Sequence, residues 1–209
     1  MRGGICQGGY TRLAEANNEA CNNFDETKPR SVILSYDVNG LYAYAMSQPL
    51  PFRDFEWVPL TQFDMASFLC GSDDDWEQYG YLLSVDLEYP SSLHDRDRDL
   101  PLAPERLLIS EDELGPWQKR QQEQYHTRST PCHKLVCTLR DKKEYVVHGN
   151  LLRFYVQNGL RVTKVHRILR FRQARWMQQF VDFNNTARRR PGISTAESDR
   201  YKLMNNAVY

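Results

Sequence analysis

Asp37 stands at the end of an apolar run, residues 31–38, immediately before an Asn39-Gly40 turn. A carboxylate held at the end of a strand and opening onto a surface is what an oxygen ligand for a hard divalent cation requires. The same residue in the same place also serves as an Asx-turn that ends a strand. Near the other end of the chain, Lys202 and Asn206 are four apart on a helical stretch and so share a face. Arg188, Arg189 and Arg190 close the helical stretch before it, and Pro191-Gly192 separates the two. Helices joined by that turn can aim several cations at one place, which suits a triphosphate. The alternative is a solvated basic face. His126, Cys132, His133, Cys137 and His148 contain no compact Cys-x-x-Cys pair, so a zinc site is disfavoured against ordinary loop and core residues. Asp86 and Glu88 alternate with apolar residues, and a solvated strand face is expected there rather than an acid–base pair.

The elements that must position these residues are legible in outline. Residues 1–30 are polar and rich in Gly and Asn, and read as a loop and connector. Residues 31–38 have the composition of a buried strand. Residues 41–48 have helical character, stopped by Pro49 and Pro51. A second strand is expected over 80–90, and an exposed, charged insertion over 110–131. A helix is expected from about 151, with Gly159 suited to cap it. A strand is expected over 160–171 and an amphipathic helix over 173–190. Ser194-Thr195-Ala196-Glu197 is a capping-box pattern that opens a last helix. Strands and helices follow one another without regular alternation, so the fold class is α+β.

The chain is 209 residues long and 41% hydrophobic, enough for one ordinary domain with a core or a large part of a bigger one. No stretch approaches the run of about 20 apolar residues that spans a membrane, and residues 1–10 lack a signal-type apolar run. Five cysteines at irregular spacing argue against a disulfide framework, so the expected setting is intracellular. The zero net charge hides a strong asymmetry. Residues 1–116 hold 8 Lys and Arg against 21 Asp and Glu, whereas residues 117–209 hold 19 against 6. Such a basic half can attract a polyanion, or the two halves can pair on folding.

Taken together, these segments resemble the family B DNA polymerases of the protein-primed kind. Tyr36-Asp37-Val38-Asn39-Gly40-Leu41-Tyr42 resembles the family's first polymerase motif, Asp-x-x-Ser-Leu-Tyr-Pro. Lys202-Leu203-Met204-Asn205-Asn206-Ala207-Val208-Tyr209 resembles the second, Lys-x-x-x-Asn-Ser-x-Tyr-Gly. Arg2-Gly3-Gly4 resembles the Tyr-x-Gly-Gly motif that joins the exonuclease and polymerase domains in protein-primed members. All three occur in the family's order. The segments GYLLSVDLEYP, PLAPE and FVDFNNTARRR also look like those of polymerases from large self-synthesising eukaryotic transposons and related linear plasmids and viruses. The departures are Gly40 for Ser, Ala43 for Pro, Met1 for Tyr and Ala207 for Ser. The third motif, source of the second metal-binding Asp, has no counterpart, so the resemblance implies a partial chain.

The resemblance implies a partial polymerase palm with an inserted subdomain and a two-helix fingers segment. Residues 1–30 would be a connector with the template-contact motif, and 31–59 a palm segment with the first motif. Residues 60–150 would be the insertion characteristic of protein-primed polymerases, 151–183 the return, and 184–209 the fingers helices. Asp37 and the Val38 carbonyl would bind Mg²⁺. Tyr42 would lie under the incoming sugar, and Lys202 with Arg189 or Arg190 would hold the triphosphate. Asn206 and Tyr209 would line the nascent base pair, and Arg2, Gly3 and Gly4 would touch the template. The implied partners are template and primer DNA, a deoxynucleoside triphosphate and a terminal priming protein, with no membrane, and the nucleus is favoured over the mitochondrion. The reading from another class is a non-catalytic DNA-binding or structural remnant of a decayed mobile element.

Overall fold

The structure, a computed structural model, describes residues 5, 14–71, 77–125 and 132–208, with the side chain of Cys132 excepted. It is a mixed α+β fold with an antiparallel sheet and several helices. The helices are α1 (Leu41–Met46), α2 (Met65–Cys70), α3 (His94–Asp97), α4 (Pro116–Gln124), α5 (Gly149–Gln157), α6 (Gln178–Arg188) and α7 (Thr195–Ala207). The strands are β1 (Leu50–Trp57), β2 (Tyr79–Glu88), β3 (Glu105–Ile109), β4 (Cys132–Val136), β5 (Lys142–His148) and β6 (Arg161–Ala174). A four-stranded sheet has the order β1-β6-β2-β5, and β3 and β4 form a separate two-stranded sheet. The chain divides into two compact units, one of residues 14–85, 144–153 and 165–209, the other of residues 1–13, 86–143 and 154–164.

The first of these units carries the motif residues at 37–42 and 202–206. Its core is made by Phe68 of α2, Leu83 and Val85 of β2, Tyr145 and Val147 of β5, Leu152 of α5, Ile168 and Phe171 of β6, and Val181 and Ala187 of α6. Each element buries the face that its period exposes to the interior. Gly80 is required where β2 passes Phe171, because a Cβ there would stand 2.2 Å from the ring. Arg153 of α5 lies 4.3 Å over the Phe68 ring and donates to the Phe68 carbonyl at 2.7 Å. That contact fixes α5 against α2 through packing as well as charge.

Two expectations are corrected here, and one stretch without an expected element gains one. Residues 32–38 form no strand. Only Ser31 pairs, in an isolated bridge with Asn17, and the segment beyond it is irregular and exposed. Tyr36 is 86% exposed and Val32, Ile33, Leu34 and Val38 more than 60%. A strand is a property of a pair, and no described residue offers these backbone groups a ladder. Next, the stretch after Pro49, left unassigned in sequence, forms β1. It pairs antiparallel with β6 through Leu50↔Ala174, Pro51↔Gln173 and Trp57↔Leu169, with two shifts of register between. Its Pro51 is tolerated because β1 is an edge strand. Finally, the helix expected from 173 begins at Gln178, because β6 runs on to Ala174 to complete that pairing.

The other unit holds the β3–β4 ladder, which runs from Glu105↔Val136 to Ile109↔Cys132. Within the stretch expected to be an exposed insertion, α4 forms and its surface is polar. Tyr89 organises the interior: its hydroxyl donates to Asp97 at 2.7 Å and accepts from the Leu102 N–H at 3.1 Å. Burial pushes its phenol up to about 12. Lys142 is fully buried and donates to Glu105 at 2.7 Å and to the Thr138 hydroxyl at 2.6 Å. Those partners are what allow an ammonium inside. Asp86 is buried rather than on a solvated face, and pairs with Lys143 at 3.5 Å.

Candidate functional site

A cleft of about 560 Å³ lies where residues 37–43 meet α6 and α7. That volume falls in the range of about 300–1,000 Å³ usual for small-molecule sites. Its wall is built from three pieces of chain. The first is the segment that leads into α1. Asp37 and Val38 come from an exposed segment outside helix and strand, Asn39 and Gly40 form the turn, and Gly40 takes the left-handed conformation (φ 72°) as the residue before α1. With no Cβ, glycine adopts that conformation at no steric cost, and the turn leads directly into α1, which carries Tyr42.

The second and third pieces are α6 and α7, which pack on one another. α7 begins where the sequence indicates: the Ser194 hydroxyl accepts from the Glu197 N–H at 3.2 Å, and Glu197 reaches back to the Ser194 backbone. This cap sets the phase of the helix, so Lys202, Asn205 and Asn206 fall on the cleft side. Arg188 ends α6 at the same cleft, together with Asn185.

Of the residues singled out in sequence, Asp37, Val38, Tyr42, Lys202 and Asn206 line this cleft. Arg189 and Arg190 are exposed and do not line it; the arginine that does is Arg188. Arg188 falls inside α6, whereas Arg189 is already its C-cap and the chain is turning away. Arg2, Gly3, Gly4 and Tyr209 lie outside the described residues. Sequence reading missed Asn185 and Asn205, whose amides carry no charge signal and sit among other asparagines.

The cleft has a polarity. Among the described residues Asp37 is its one carboxylate, Arg188 and Lys202 are its cations, and Asn39, Asn185, Asn205 and Asn206 are its amides. Elsewhere many basic residues of the second half are neutralised by acids of the first, as in Arg170–Glu56, Arg172–Asp54, Arg175–Glu77 and Arg161–Glu88. Arg188 and Lys202 have no ion-pair partner among the described residues. Two cations lining one cleft without ion-pair partners among the described residues are suited to a polyanion, and the carboxylate in the same lining is suited to a cation that accompanies it.

The donor set bears on the metal. Mg²⁺ takes one or two carboxylates together with substrate phosphates and water. Asp37 and the Val38 carbonyl would hold one such ion, delivered with a phosphate ligand. They do not make a two-ion centre by themselves, because among the described residues no second carboxylate lines the cleft. Among the described residues no group of three or more His, Cys, Asp or Glu is placed to hold a metal ion, zinc included. No helix there is long and apolar enough to cross a membrane. Comparison with protein-family models, with curated proteins and with solved structures finds no match to this chain.

Proposed function

We propose that this chain is part of a template-directed DNA polymerase of the protein-primed family B kind, and that the cleft between residues 37–43, α6 and α7 takes a deoxynucleoside triphosphate. One observation carries the reading: Asp37 and Lys202, far apart in the sequence, line a single cleft together with Tyr42 and Asn206. An Asx-turn aspartate and a solvated lysine have no reason to meet; a metal ligand and a phosphate ligand of one nucleotide must. In this reading Lys202 and Arg188 hold the triphosphate by charge-assisted hydrogen bonds. Asp37 with the Val38 carbonyl holds the Mg²⁺ that travels with it, and that ion supplies charge stabilisation on the phosphates. Tyr42 forms the floor under the sugar, and Asn206, one turn beyond Lys202, faces the base. Residues 31–59 would belong to the palm, 184–208 to the fingers, and the β3–β4 unit to the insertion that meets the priming protein and duplex DNA.

The test is calorimetric titration of the chain with a deoxynucleoside triphosphate, with and without Mg²⁺. Lys202→Ala is expected to weaken binding by about tenfold or more, the loss of one hydrogen bond to a charged group. Asp37→Ala is expected to abolish the Mg²⁺ dependence while leaving metal-free binding in place. Equal, mild effects of both substitutions would return Asp37 and Lys202 to an Asx-turn and a solvated face, and the chain to a non-catalytic remnant.

A further inference from the structure

The α6–α7 contact contains a polar device that the charged residues do not explain. Asn184 of α6 is fully buried and Asn205 of α7 is 6% exposed. Asn184 Nδ2 donates to Asn205 Oδ1 at 2.8 Å, and Asn205 Nδ2 donates onward to Asn185 Oδ1 at 3.3 Å. Three amides thus form a directed chain, from the core to the wall of the cleft that Asn185 and Asn205 line. At its inner end Asn184 Oδ1 is buried with no partner among the described residues. At its outer end Asn185 has spent its oxygen on Asn205, which leaves its two N–H donors for the cleft.

The direction of the chain follows from what each orientation strands inside. In this orientation the Asn184 NH₂ is bonded and its carbonyl oxygen has no partner among the described residues. Turning all three amides over would satisfy that oxygen but leave both N–H groups of the buried Asn184 amide without an acceptor. Buried N–H groups without an acceptor are rarer than under-satisfied carbonyls, so the orientation that keeps the Asn184 NH₂ bonded is preferred. The core end of the chain therefore fixes which end of the Asn185 amide faces the ligand.

We propose that Asn185 is a phosphate-binding residue of the cleft, its amide N–H groups joining Lys202 and Arg188 on the triphosphate, and that Asn184 and Asn205 are positioning residues that set its polarity. This rests on the triphosphate reading of the cleft. It adds a neutral donor to the two cations and gives a role to a buried polar pair that an apolar helix contact would not need.

The experiment is titration of the full chain with inorganic tripolyphosphate and with dATP, read as dissociation constants, with thermal melting beside each variant. Asn185→Ala is expected to weaken both ligands about tenfold, the loss of a hydrogen bond to a charged acceptor, with a fold that still melts cooperatively and a melting temperature lowered only by the loss of the Asn205–Asn185 bond. Asn185→Asp, which turns a donor into an acceptor, is expected to weaken them further. Asn184→Asp does not touch the cleft. It offers Asn205 only acceptors, so it turns the chain over, and it is expected to weaken tripolyphosphate as Asn185→Ala does. Should that buried variant fail to fold, the surface variants at Asn185 decide alone. Weakening by Lys202→Ala but affinity within about twofold of wild type for both Asn185 variants would overturn this proposal and leave the triphosphate reading standing. No binding of either ligand by the unmodified chain, or none sensitive to Lys202, would overturn both.

Discussion

Asp37 and Lys202 are single side chains whose meaning depends on each other, and the amides around them show how much of a site rests on uncharged groups. Asp37 was legible because a carboxylate before an Asn-Gly turn has few chemical uses; Lys202 because helical period gave it a face shared with Asn206. Asn185 and Asn205 were not, since an amide advertises itself only through partners, and those partners lie on another helix. The same is true of Tyr89, whose hydroxyl is fixed by Asp97 and the Leu102 N–H. Its titration gives a prediction. The folded state keeps this phenol protonated up to about 12 where the ordinary value is 10.0. Between those values the folded state binds more protons than the unfolded one, so stability falls as pH rises across that window. Tyr89→Phe is expected to cost about 1–2 kcal/mol near neutral pH, the loss of its hydrogen bonds, and to flatten the alkaline decline. Urea unfolding at a series of pH values checks this, and parallel declines for the two proteins would contradict it.

Elements differ in how much of their specification is local. α7 begins where its capping box says, because Ser194 and Glu197 need only each other. α1 and β2 likewise lie close to their expected positions, set by a turn and by apolar alternation. β1 was hidden by Pro51, which suggests a break in a sequence and is harmless on a sheet edge. Residues 32–38 were misread for the opposite reason: the composition of a strand was present and a neighbour was not. The β2–β6 crossing at Gly80 depends on a contact with no trace in local pattern, the Phe171 ring. Gly80→Ala is expected to destabilise the fold by about 3 kcal/mol through overpacking, seen as a lowered urea midpoint with unchanged slope. A variant as stable as wild type would mean that the ring moves aside freely.

At the scale of the molecule the charge asymmetry is partly resolved by pairing between the halves. Many cations of the second half are spent on acids of the first, as the pairs at Arg161, Arg170, Arg172 and Arg175 show. Arg188, Arg189, Arg190 and Lys202 are left without ion-pair partners among the described residues. DNA binding by the chain is therefore expected to rest on few phosphate contacts but still to fall with salt, through counterion release, between about 50 and 200 mM. Fluorescence anisotropy with a labelled duplex measures that slope, and salt-independent binding would count against it.

The central claim is that residues 37–43 and α7 hold the same nucleotide. It is tested most directly by photo-crosslinking the chain to a deoxynucleoside triphosphate that carries a photoreactive base, followed by mapping of the labelled peptides. Label is expected in the peptides that contain Tyr42 and Asn206, displaced by unmodified triphosphate and lost in Lys202→Ala. Label confined to the β3–β4 unit, or undiminished by Lys202→Ala, would contradict the account.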